Sequence, residues 1–162
     1  TAVARRARGF DMDVLYTNRH RNLEGEQQSG AEFVFFGTLL ERSDFISIHA
    51  PLNYESRHIF EVGVFKRMKP TAIVVNAARG GVVDEQALHD ALKAGKIFGA
   101  GLDVFEAEPP TNRDPLIGLP NVVATPHAGG GTLETQAKSS IAVAETLLAV
   151  LDGNIPAKNR VA

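Results

Sequence analysis

Short apolar runs rich in β-branched residues recur along the chain, and stretches with helical spacing separate them. Asp13–Tyr16 (DVLY), Phe45–Ile48 (FISI), Ala72–Val75 (AIVV), Ala100–Val104 (AGLDV) and Val122–Ala124 (VVA) read as strands, with Ala31–Phe35 (AEFVF) a weaker sixth. Most of them lack polar alternation, as expected of parallel strands covered on both faces. Between them stand helix candidates at Ala2–Arg8, Gly37–Arg42, Val62–Met68 and Glu85–Ala94. The third stops at Lys69-Pro70, since a residue before proline is pushed out of helical backbone. The fourth has a full set of end signals: Asp84 to cap it, Val83 and Leu88 to staple it, Gly95 to end it. Repeated strand–helix–strand units predict an open α/β fold, a doubly wound parallel sheet.

A last helix, Thr132–Leu151, sets Leu133, Ala137, Ile141, Ala144, Leu148 and Leu151 on one stripe, which is expected to pack into a core. The tail Gly153–Ala162 reads as irregular, and Glu106–Pro120 as a proline-rich loop with an Asn-Arg-Asp turn. The 162 residues amount to about one domain. A net charge of −2 gives no electrostatic reason to expect nucleic acid or an anionic membrane as partner. No apolar run reaches the ~20 residues of a membrane span, and no signal peptide opens the chain. Cysteine is absent, which excludes disulfides and thiolate metal sites. These readings predict a soluble, cytoplasmic protein with no metal site.

In open α/β sheets ligands sit outside the carboxyl ends of the strands, so the residues just past each strand carry the functional reading. They are Thr17-Asn18-Arg19-His20-Arg21, His49-Ala50-Pro51, Asn76 to Arg79, Asp103 with Glu106 and Glu108, and Thr125-Pro126-His127-Ala128-Gly129-Gly130. An arginine, a carboxylate and a histidine are thereby directed to one edge. A guanidinium can grip a carboxylate with two parallel hydrogen bonds or steady a carbonyl oxygen as charge builds on it. A histidine beside a carboxylate holds its proton to higher pH and can give it to that oxygen. The trio suits interconversion of a 2-oxo acid and a 2-hydroxy acid.

Three blocks, NAARGGVVDEQAL, GAGLDVFEAEP and VVATPHAGG, resemble in order and spacing the signatures of the D-isomer-specific 2-hydroxyacid dehydrogenase family. The resemblance is nearest to the glyoxylate/hydroxypyruvate reductases, a subgroup that includes 2-ketogluconate reductases. It implies a Rossmann-type dinucleotide-binding domain over residues 1–131, with 132–162 a helix and tail returning towards a substrate domain. It also implies that Arg79 binds the substrate carboxylate and carbonyl, that Glu108 is the catalytic glutamate with Glu106 a bystander, and that His127 is the acid/base. Asp103 would contact the nicotinamide end of the cofactor, and Pro51, Ala77 and Gly129 would line its cleft. The substrate implied is a small 2-oxo or 2-hydroxy acid, and the assembly a homodimer.

In such a fold a first strand and a Gly-x-Gly-x-x-Gly turn come before the first helix. Neither is in the sequence, so the chain reads as the C-terminal part of a longer protein. The window after the first run, Tyr16 to Arg21, holds no acid to bind an adenosine ribose. Arg19 and Arg21 would instead meet a 2′-phosphate, worth about one to two decades of preference, with Asn18 a further cofactor-binding residue beside them. The expected cofactor is NADP(H), with NAD(H) the alternative. Each site residue also has an ordinary reading: a surface arginine, a backbone-bonded loop histidine, a turn-bracing aspartate, solvated charges. His20, His49, His58 and His89 are read as structural or surface residues. Two other functions fit the same blocks, a non-enzymatic dinucleotide sensor like the corepressors similar to this family, and a D-3-phosphoglycerate dehydrogenase.

Overall fold

The structure is a computed structural model describing residues 1–111 and 114–154. Asn112 and Arg113 of the expected Asn-Arg-Asp turn, and most of the 153–162 tail, lie outside the described residues. The strands are β1 (Leu15–Tyr16), β2 (Glu32–Phe33), β3 (Phe45–Ile48), β4 (Ile73–Asn76), β5 (Gly99–Leu102) and β6 (Val122–Ala124). All pair in parallel, in two sheets: β1–β2, and β3–β4–β5–β6 in that order. The helices are α1 (Ala2–Ala7), α2 (Leu23–Ser29), α3 (Phe36–Arg42), α4 (Val62–Phe65), α5 (Glu85–Lys93) and α6 (Leu133–Leu151). This is a parallel α/β sheet with flanking helices, a Rossmann-like architecture. The chain forms two compact units, Thr1–Pro126 and His127–Ala162.

One continuous core joins the inward residues of β3, β4 and β5 (Ile46, Ile48, Val74, Leu102) to Val64 and Phe65 of α4 and Leu88 and Leu92 of α5. Each such fully buried aliphatic or aromatic side chain contributes about 1.5–3 kcal/mol relative to leaving it in water. Helix α5 starts as its sequence dictates: the Asp84 carboxylate accepts from the Ala87 N–H at 2.9 Å, Val83 and Leu88 are both buried, and Gly95 takes a left-handed φ of 64°. Helix α4 is shorter than expected, ending at Phe65 rather than Met68.

Three expectations are corrected. The strands of the larger sheet are not covered on both faces: β3 and β4 bury alternate residues, while Phe45, Val75 and Val123 on the other rows are exposed. Helix α2 was not anticipated; Asn22 caps it by accepting from the Gly25 N–H at 2.8 Å, and Gly30 ends it at φ 66°. Helix α6 has no buried residue, and Leu133 and Leu151 are 81% and 82% exposed. Among the described residues its unit holds no other helix or strand against which to bury that stripe. Among the described residues no helix is long and apolar enough to cross a membrane.

Candidate active site at the strand carboxyl ends

The turn after β4 is built around two residues. Asn76, the last of the strand, is 1% exposed. Its side-chain amide donates to the Arg79 carbonyl at 3.0 Å and its Oδ1 accepts from the Ala78 N–H at 3.1 Å. Gly80 then abuts the next loop: a Cβ there would lie 2.0 Å from both the carbonyl carbon and the oxygen of Phe105. Backbone packed this closely admits only glycine. Buried amide and missing side chain together hold residue 79 outward, and Arg79 is exposed with Nη1 donating to the Ala78 carbonyl at 2.7 Å.

The loop after β5 carries the acids. Asp103 follows the strand directly; its N–H donates to the Asn76 carbonyl at 2.9 Å, and its Oδ1 accepts from the Thr125 hydroxyl, just past β6, at 2.5 Å. Farther along, Glu108 curls back so that its Oε1 accepts from the Phe105 N–H at 3.0 Å. Glu106, expected to be a bystander to the chemistry, is fixed in place. Its carboxylate lies 2.9 Å from His58 Nε2 and 3.8 Å from Arg57, and its N–H donates to Glu85 Oε1 at 2.6 Å. Partial burial pushes the Glu85 carboxyl up from its ordinary value, with the Asp114 and Glu106 charges adding to the rise.

The loop after β3 is knit by its own polar groups. The buried Ser56 hydroxyl donates to the Pro51 carbonyl at 2.5 Å, and Asn53 Oδ1 accepts from the N–H groups of Glu55 and Ser56 at 3.0 and 2.9 Å. Pro51 and Ala77 are both exposed at these strand ends. Arg79, Glu108, Asp103, Pro51 and Ala77 thus all follow the carboxyl ends of β3, β4 and β5, consecutive strands of one sheet. His127 and Gly129 belong to the second unit; there His127 is exposed, with a left-handed φ of 52°, and the Gly131 N–H donates to the Ala128 carbonyl at 2.9 Å.

Asn18, Arg19 and Arg21 follow the carboxyl end of β1, exposed. Asn18 Oδ1 accepts from the Arg19 N–H at 2.9 Å. The window that holds no acid in sequence is supplied with acids in space. Arg19 pairs with Glu55. Arg21 grips Glu26 of α2 through Nε and Nη2 at 2.7 and 2.8 Å, and the Tyr16 hydroxyl donates to the same carboxylate at 2.6 Å. The arginine grip first, and the tyrosine bond second, lower the Glu26 carboxyl from 4.5 to about 2. Missing α2 in the sequence meant missing this carboxylate. No group of three or more His, Cys, Asp or Glu that could hold a metal ion occurs among the described residues.

Parallel strands with polar loops gathered at their carboxyl ends define an α/β domain of the dinucleotide-binding kind. The chain belongs to the D-isomer specific 2-hydroxyacid dehydrogenase family, whose NAD binding domain matches residues 1–129. A glyoxylate reductase of Korarchaeum cryptofilum (strain OPF8) is 50% identical over 155 residues, 96% of this chain and 47% of that protein. A crystal structure of a glyoxylate reductase from Paecilomyes thermophila matches with a TM-score of 0.87 at 37% identity, over 95% of this chain and 47% of that one. The NAD-complexed form of a D-isomer specific 2-hydroxyacid dehydrogenase from Lactobacillus delbrueckii ssp. bulgaricus matches with a TM-score of 0.86 at 29% identity, over 96% and 51%. The chain spans about half the length of the curated relatives it matches.

Proposed function

We propose that residues 1–131 form the dinucleotide-binding part of a reductase that converts a small 2-oxo acid, such as glyoxylate, hydroxypyruvate or 2-ketogluconate, into the D-2-hydroxy acid. The observation that carries this reading is the Arg79 turn, where a buried Asn76 and an obligatory Gly80 hold a guanidinium in solvent beside the Glu108 loop. Arg79 binds the substrate carboxylate with its paired N–H groups and steadies the carbonyl oxygen as negative charge grows there. In this reading His127 is the acid/base that gives that oxygen its proton, and Glu108 is the catalytic glutamate.

A nicotinamide dinucleotide supplies the hydride when bound. The residues present suit it. Ala50, Pro51 and Ala77 keep the strand ends free of bulk, and the Asp103 carboxylate accepts the Thr125 hydroxyl and can accept a carboxamide N–H. For the adenosine end we favour NADP(H), with NAD(H) the alternative. The Arg19–Glu55 pair is highly exposed on both sides and so holds Arg19 weakly, leaving it ready to exchange partners for a 2′-phosphate. Arg21 is the more committed of the two, because its bond to Glu26 is bidentate. The reading extends to a cytoplasmic homodimer.

The test is turnover of the full-length protein with each of the three 2-oxo acids, comparing NADPH and NADH. We expect turnover and a higher kcat/KM with NADPH. A clear preference for NADH overturns the cofactor choice. Retained dinucleotide binding without turnover of any of the acids favours the sensor instead.

A further inference from the structure

His58 touches both of the loops that carry Arg79 and Glu108. The His58 N–H donates to the Gly81 carbonyl at 2.9 Å, within the turn that follows Arg79. The neighbouring chain continues the attachment: the Phe60 N–H donates to the Val82 carbonyl at 3.2 Å, and the Asp84 N–H to the Phe60 carbonyl at 3.0 Å. Side chains close the same seam, since a Cβ on Gly81 would touch Leu52 and Arg57 at 3.2–3.4 Å. From this anchored backbone the His58 ring reaches across to Glu106, which lies between Phe105 and Glu108. Glu106 is also fixed through its N–H to Glu85, so the ring meets a carboxylate held from behind. His58 adopts φ 51°, a left-handed conformation that histidine, asparagine and aspartate accept more readily than other side chains.

We propose that His58 is a positioning residue of the candidate site: pinned by its backbone to the Arg79 turn and by its ring to Glu106, it sets the guanidinium against the Glu108 loop. The proposal rests on the reading of Arg79 and Glu108 given above. A contact of this kind acts on geometry, and a misplacement of about 1 Å in a reacting group can cost ~10²-fold in rate. The brace should therefore appear in substrate kinetics before it appears in stability.

The experiment uses His58→Asn and His58→Gln in the full-length protein. Asparagine accepts the left-handed backbone but is too short to reach Glu106, whereas glutamine carries an N–H donor nearly as far as the ring does. For H58N we expect KM for the 2-oxo acid to rise and kcat to fall, together lowering kcat/KM about tenfold or more, with Tm and dinucleotide Kd unchanged. H58Q should recover most of the loss, and H58N combined with Glu106→Gln should be little worse than H58N alone. Kinetics of H58N equal to wild type, or a loss that follows a drop in Tm and dinucleotide affinity, overturns the proposal. Hydrogen exchange separates this from failure of the reductase reading. Without any substrate, H58N should exchange faster at residues 79–82 and 105–108 while β4 and β5 stay protected. Unchanged exchange there overturns the brace even if the wild-type protein is an active reductase.

Discussion

Arg79 is useful to a carboxylate because its donors form a planar fork, so charge alone should not replace it. Arg79→Lys retains the cation and the turn but loses the paired contact. It should lower kcat/KM for the 2-oxo acid by about 10²-fold, with KM raised and dinucleotide Kd unchanged, as read from steady-state kinetics and a binding titration. Glu26 offers a test without catalysis. Its carboxyl in the folded protein titrates near 2 instead of 4.5, so the Arg21 and Tyr16 bonds stabilise the fold above about pH 4.5. That contribution is lost as pH falls from there through about 2. The carboxyl resonance of Glu26 should show a midpoint near 2, and a midpoint near 4.5 would mean the grip is absent in solution. The two residues also differ in legibility. The place of Arg79 could be read because it stands just past a strand end, which the apolar run before it marks. His58 and Glu106 could not, because their meaning is a contact across 48 residues of chain, and neither sits in a local pattern that announces the other.

Elements were readable where their signals are local. Helix α5 carries cap, staple and glycine stop within a dozen residues, and all are in place. Asp84→Ala should cost about 1 kcal/mol of stability by losing the bond to the Ala87 N–H, measured by denaturant unfolding. Asp84→Asn should recover most of it. Helix α2 has a cap and a glycine stop in Asn22 and Gly30 but no pattern between them. It is a polar seven-residue segment with Gly25 inside it, and it lacks the apolar stripe on which sequence reasoning depends. For α6 the stripe was legible but its partner was not. Apolar spacing states that a helix face is to be covered without naming what covers it, and that helix's large apolar residues stand exposed.

At the scale of the molecule, the division of the sheet sets a hierarchy of stability. The four strands β3 to β6 close over a continuous core, whereas β1 and β2, among the described residues, pair as strands only with each other. Two-stranded sheets are marginal in water. For the 162-residue chain, amide hydrogen exchange should therefore find β4 and β5 the most protected and β1–β2 opening well before them. Equal protection in both sheets would contradict the division. That a parallel α/β sheet would form was evident from the alternation of runs; that Phe45, Val75 and Val123 would stand exposed was not, because an apolar run carries no mark of which of its rows is covered. Finally, the contact of Gly80 with the Phe105 carbonyl has a practical consequence for anyone seeking to change which acid is accepted. The segment around Glu108 cannot be exchanged as a free-standing cassette. A replacement with a different backbone path would collide with the arginine turn, so productive libraries will vary 79–81 and 105–108 as a single unit.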